Sequence, residues 1–112
     1  MSQITSHILD TTKGKPAQGV SVLLFQQQNN DWKEIGISIT NGDGRVMDLL
    51  KDNVVAQPGI YKLKFETKSY YEQQSLKSFY PFVEIVFEIS SNEHYHVPLL
   101  LNPFGYSTYR GS

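Results

Sequence analysis

No cysteine occurs among the 112 residues, so the chain has neither a disulfide framework nor a thiolate nucleophile, and its stability must come from packing or from assembly. The redox compartment is undetermined on this ground. No stretch approaches the roughly 20 apolar residues that span a bilayer, and the opening MSQITSHILD has neither the basic nor the apolar region of a signal peptide. A cytoplasmic protein with no membrane partner is the expectation. Concentrated charge is missing too. Ten Lys+Arg stand against 11 Asp+Glu for a formal net charge of -1, and with no basic run the phosphate backbone of a nucleic acid has nothing to bind. A Gly-rich phosphate loop, a nucleophile elbow and paired carboxylates of the glycosidase kind are all absent. Arginine is scarce: Arg45 and Arg110 are the only two.

What is present reads as β-structure. The length fits one domain, 1–112, built around a single core. Short runs rich in Val, Ile, Phe, Tyr and Thr recur between Gly, Asn, Asp and Pro punctuation, which predicts an all-β sandwich or barrel. Eight strands are expected, near Ile4–Thr11, Val20–Gln27, Trp32–Ile39, Val46–Leu49, Gly59–Glu66, Val83–Ile89, His94–Leu101 and Tyr106–Tyr109. In VEIVFEI the residues Val83, Ile85, Phe87 and Ile89 alternate with Glu84, Val86 and Glu88, so one face is core and the other mostly solvated. GKPAQG (14–19) and NGDGR (41–45) read as turns. SYYEQQS lacks the two-residue alternation and predicts one short helix near Ser69–Ser75.

Chemistry has few carriers here. Histidine moves protons near neutral pH, and three are available: His7, His94 and His96. Residues two apart on a strand share a face, so His94 and His96 line one surface with Tyr95 and Val97 on the other. Two readings stay open from spacing: a zinc pair completed by His7, or two surface histidines beside Asn92 and Glu93. Pro98 donates no ladder hydrogen bond, which predicts a bulge or a strand edge at that point. Taken singly, Arg45 and Arg110 are compatible with solvated surface charges.

HYHVPLLLNPFGYSTYRGS (94–112), with SHILDTTKGKPAQGV (6–20), TNGDGR (40–45) and FYPFVEIVF (79–87), resembles the transthyretin-like 5-hydroxyisourate hydrolases. These blocks span nearly the whole chain, and Tyr-Arg-Gly-Ser at 109–112 is the family's discriminating signature. Thyroid-hormone carriers of the same fold look alike through the LLL and YS blocks but lack this His, Arg and Ser set. The resemblance implies a transthyretin-like two-sheet sandwich of eight strands with one short helix, assembled as a homotetramer, a dimer of dimers with substrate pockets where the dimers meet.

The implied reaction, a step of urate breakdown, opens the six-membered ring of 5-hydroxyisourate. Water attacks a ring carbonyl to give 2-oxo-4-hydroxy-4-carboxy-5-ureidoimidazoline, with no metal or other cofactor. By the same resemblance the catalytic residues are His7, Arg45, His96 and Ser112, and Tyr109 and Arg110 join His7, Arg45, His96 and Ser112 in binding substrate. Histidine and arginine suit that reaction, because it needs a base for water, a proton for the leaving nitrogen and donors for the carbonyl oxygen. A nearby guanidinium keeps an imidazole neutral and able to accept a proton. His96 is favoured as the base with His7 assisting, and the choice between them stays open. Gly111 is expected to act as a hinge, turning Ser112 back into the site through backbone angles closed to other residues.

Overall fold

The computed structural model describes residues 2–112. Two sheets form a sandwich. The first has the strand order β2 (Lys15–Pro16), β1 (Ile4–Asp10), β8 (Tyr95–Asn102), β9 (Gly105–Thr108), with β5 (Arg45–Val46) also paired to β1. The second runs β4 (Asp31–Ile39), β3 (Ser21–Gln28), β6 (Gly59–Phe65), β7 (Val83–Ile89). Among the described residues only β1 and β8 pair in parallel, which the long connection between them permits. One helix, α1 (Thr67–Glu72), follows β6.

Each expected strand occurs, and a ninth of two residues is added. Lys15–Pro16 lies within the segment read as a turn and closes onto Leu9 and Asp10. The strand expected at Val46–Leu49 shortens to Arg45–Val46, and the helix begins two residues earlier than SYYEQQS suggested. Pro98 corrects a second expectation, because it sits inside β8, a central strand flanked by β1 and β9, and is buried. Its missing N–H still leaves a mark. The ladder to the chain's last segment pairs Leu99 with Thr108, lapses opposite Val97 and Pro98, and resumes at His96 and Gly111.

The core forms where the inward parities of both sheets meet. Ile4, Ile8, Val97 and Leu99 from the first sheet face the same interior as Val22, Leu24, Leu63 and Phe65 from the second, all buried. This fixes what the other parity must do. Along β1 and β8 the residues Thr5, His7, Leu9, His96 and Leu100 alternate with the core set, so they stand on the outer face of the first sheet.

Candidate active site

Three elements bring the chemistry-bearing residues onto that outer face. The parallel register of β1 with β8 sets Thr5 opposite His96 and His7 opposite Pro98. On the other side of β1, the β5 pairing sets Arg45 opposite His7. Registered partners project to the same side of a sheet, so residues far apart in sequence, from 5, 7, 45 and 96, converge.

Arg45 is delivered by the turn before it. The Asn41 side-chain oxygen accepts the backbone N–H groups of Asp43 (2.9 Å) and Arg45 (3.1 Å), while Gly44 N–H donates to the Asn41 carbonyl (2.9 Å). This is the self-bonded asparagine turn that NGDG favours. Gly44 has φ +73°, and a Cβ there would stand 2.5 Å from the Ile8 carbonyl oxygen, so no side chain is accommodated. Its own carbonyl accepts the Ile8 N–H at 2.8 Å, which docks the turn on β1.

A cavity of about 100 Å³ opens on this face, lined by Thr5, Arg45, Met47, His94, His96 and Ser112. Within it the Thr5 hydroxyl lies 2.7 Å from His96 Nδ1 and 2.8 Å from His94 Nε2. With Nδ1 so engaged, Nε2 is the His96 nitrogen left for water or substrate. Burial lowers the His96 pKa from its ordinary 6.5, and the charges of Arg45, His94 and His7 push the same way. His7 is lowered as well, chiefly by burial and then by Arg45, against a backbone hydrogen bond and charge from Asp43 that raise it. Both imidazoles are thus held toward the neutral form that accepts a proton.

The chain's last residues divide between two cavities that His96 also lines. Gly111 N–H donates to the His96 carbonyl (2.8 Å), and Ser112 beyond it reaches the cavity. Glycine is needed at 111 for a reason other than the expected one. Its φ lies outside the left-handed region, but a Cβ would stand 2.6 Å from His96 Cδ2. Close approach to the imidazole, not a hinge angle, excludes a side chain.

Arg110 and Tyr109 are not brought to the same cavity. They line a neighbouring one of about 280 Å³ with Ile85, Phe87, Tyr95 and His96. There the Arg110 guanidinium pairs with Glu93 and lies over the Tyr95 ring, 4.6 Å from its centroid. Sequence reasoning passed over Thr5 and Met47 and gave His94 no catalytic role. The signal for Thr5 and Met47 was parity, since each stands two residues from a predicted site residue, His7 or Arg45. Among the described residues no three His, Cys, Asp or Glu side chains cluster as metal ligands would.

Comparison with known proteins places this geometry in a family. A probable 5-hydroxyisourate hydrolase of Caenorhabditis elegans is 48% identical over 112 residues, covering 99% of this chain and 82% of that protein. The 5-hydroxyisourate hydrolase of Mus musculus is 46% identical, covering 99% of this chain and 96% of that protein. Among solved structures, the 5-hydroxyisourate hydrolase of Klebsiella pneumoniae superposes with a TM-score of 0.86 at 33% identity, over 97% of this chain and 98% of that one. Sea bream transthyretin in complex with thyroxine superposes with a TM-score of 0.91 at 30% identity, over 98% and 95%. Backbone shape therefore does not separate the hydrolase from the thyroxine-bound transthyretin, and the residues on the outer face must. Residues 4–111 match the HIUase/Transthyretin family, and the chain belongs to it.

Proposed function

We propose that the chain is a hydrolase of 5-hydroxyisourate and that its reaction runs on the outer face of the first sheet. The observation that carries the reading is the juxtaposition of Arg45 and His96 in one cavity, in a chain 46–48% identical to proteins named as these hydrolases. His96 Nε2 takes a proton from water as the oxygen attacks a ring carbonyl. The Arg45 guanidinium, a planar fork of donors, orients the carbonyl-rich substrate and stabilises the charge that develops on the attacked oxygen. His7, in the next row of the face and opposite Arg45, assists proton transfer to the leaving ring nitrogen. Ser112 adds a hydroxyl at the cavity wall. Bond making and breaking then balance: water supplies hydroxide to the carbon and, through imidazole, a proton to the nitrogen.

The site is completed by assembly. A cavity of about 100 Å³ is well below the roughly 300–1,000 Å³ of typical ligand pockets, so a second copy packed on this face is needed to enclose substrate and exclude water. A homotetramer built as a dimer of dimers meets that need and is the assembly we propose. Tyr109 and Arg110 enter substrate binding in this reading through the adjoining cavity, which His96 also lines and where Arg110 must exchange Glu93 for substrate.

Thyroxine carriage is the second reading, favoured by the closer backbone match to sea bream transthyretin. Ultraviolet absorbance separates the two. Purified protein added to freshly made 5-hydroxyisourate is expected to accelerate its loss above the spontaneous decay, with chelator present or absent. Tight thyroxine binding without any acceleration would overturn the hydrolase reading.

A further inference from the structure

We propose that Thr5 is a positioning residue that fixes the tautomer of His96, through a hydrogen-bond chain running from His96 Nδ1–H to the Thr5 hydroxyl and on to His94 Nε2. The proposal rests on the hydrolase reading for its kinetic consequence but not for its geometry. Thr5 is only 3% exposed, and its hydroxyl stands between two imidazoles at 2.7 and 2.8 Å. The placement is built into the sheet. Parallel pairing puts Thr5 opposite His96, and His94, two residues earlier, lies on the same side with its ring 6.1 Å from that of His96 and inclined by 28°.

A hydroxyl carries one proton. It can donate to at most one of the two ring nitrogens, and where it donates to one it accepts from the other, so the tautomers of the two histidines are coupled. Of the two arrangements in which Thr5 donates to a ring, one leaves His96 Nε2 protonated and useless as a base. The other has Nδ1–H of His96 donating to Thr5 Oγ1 while Thr5 donates to His94 Nε2, which bares the Nε2 lone pair at the cavity. General bases are commonly oriented in this way by a third group behind the ring. Here that group is a neutral hydroxyl, and His94, exposed at the rim, is the acceptor that sets the direction of its proton.

Two measurements test this. In protein labelled with ¹⁵N-histidine, the ring nitrogens of neutral His96 are expected to show a protonated Nδ1 and a bare Nε2. Thr5→Val, which keeps the shape and removes the hydroxyl, is expected to shift that population toward Nε2–H, and Thr5→Ser to restore it. In turnover, Thr5→Val is expected to lower kcat roughly 10- to 100-fold, less than loss of the base itself, with KM within about twofold, while Thr5→Ser recovers most of the rate. A His96 protonated at Nε2 in the unaltered protein, or a Thr5→Val variant with full kcat, would overturn the proposal. If the unaltered protein hydrolysed nothing, the function proposed above would fail and the nitrogen spectrum alone would decide the hydrogen-bond chain. Should Thr5→Val not fold, Thr5→Ala and Thr5→Ser carry the same comparison.

Discussion

Gly111→Ala is the smallest change that reaches the site from outside it. The added Cβ would stand 2.6 Å from His96 Cδ2, 3.3 Å from His96 Cγ and 3.2 Å from Pro98 Cγ. Non-bonded carbons settle near 3.5–4.0 Å, so ring and tail must separate by roughly 1 Å. The ring does not recede freely, because Thr5 holds Nδ1 at 2.7 Å on its other side. If the tail lifts instead, the Gly111 N–H loses the His96 carbonyl, worth about 1 kcal/mol, and Ser112 leaves the cavity with it. Either movement unseats a group that the reaction uses, and a 1 Å misplacement is worth up to about 10² in rate. The expected outcome is a 10- to 100-fold fall in kcat/KM, of the order that such displacements produce. The core strands end before Gly111, so the melting temperature should drop by no more than about 8 °C, as expected for the loss of about 1 kcal/mol. Gly105→Ala is the control, since its Cβ would meet nothing nearer than 3.7 Å. Full activity in Gly111→Ala, measured by loss of 5-hydroxyisourate absorbance, would refute the reasoning.

Four further outcomes are expected. Burial and then the charge of Arg45 lower the pKa of His96, so the acid limb of kcat/KM should lie below pH 6.5 and move up toward it in Arg45→Met; a limb that stays put would remove Arg45 from the electrostatics of the base. Because the folded-state pKa values of His7 and His96 lie below the ordinary 6.5, the unfolded chain binds more protons there, and stability should fall as pH drops through about 6.5, read as a falling denaturant midpoint. Thr40→Val strips a hydroxyl, on a residue 3% exposed, that accepts the Val20 N–H and donates to the Ala17 carbonyl; the two orphaned groups should cost about 1–3 kcal/mol in chemical denaturation. Deleting residues 110–112 should abolish most activity while the circular dichroism of the sandwich persists, because β9 ends at Thr108.

Strands were legible because burial on one face writes alternation into the sequence, as in Val83–Ile89, whose observed bounds match the expected ones. Lys15–Pro16 was not, since two exposed residues carry no pattern. The central position of Pro98 was hidden for a different reason. β8 pairs through its other edge with β1, and sequence does not reveal which of a strand's two edges lacks a donor. At the site, His7, Arg45 and His96 were marked by residue type and by resemblance. Their meeting depends on the parallel β1–β8 register, a contact across some 90 residues that no local pattern encodes. Thr5 looked like an ordinary strand threonine, and only the register makes it the neighbour of two imidazoles.

The central claim, that the Arg45 and His96 face performs the hydrolysis, is tested most directly by one comparison. The rate of 5-hydroxyisourate loss is followed with equal concentrations of the unaltered protein and His96→Ala, after subtraction of spontaneous decay. The expected result is acceleration by the first and a rate about 10²- to 10⁴-fold lower in the second, the usual worth of a general acid–base group, with assembly unchanged by mass. Equal rates from the two proteins would contradict it.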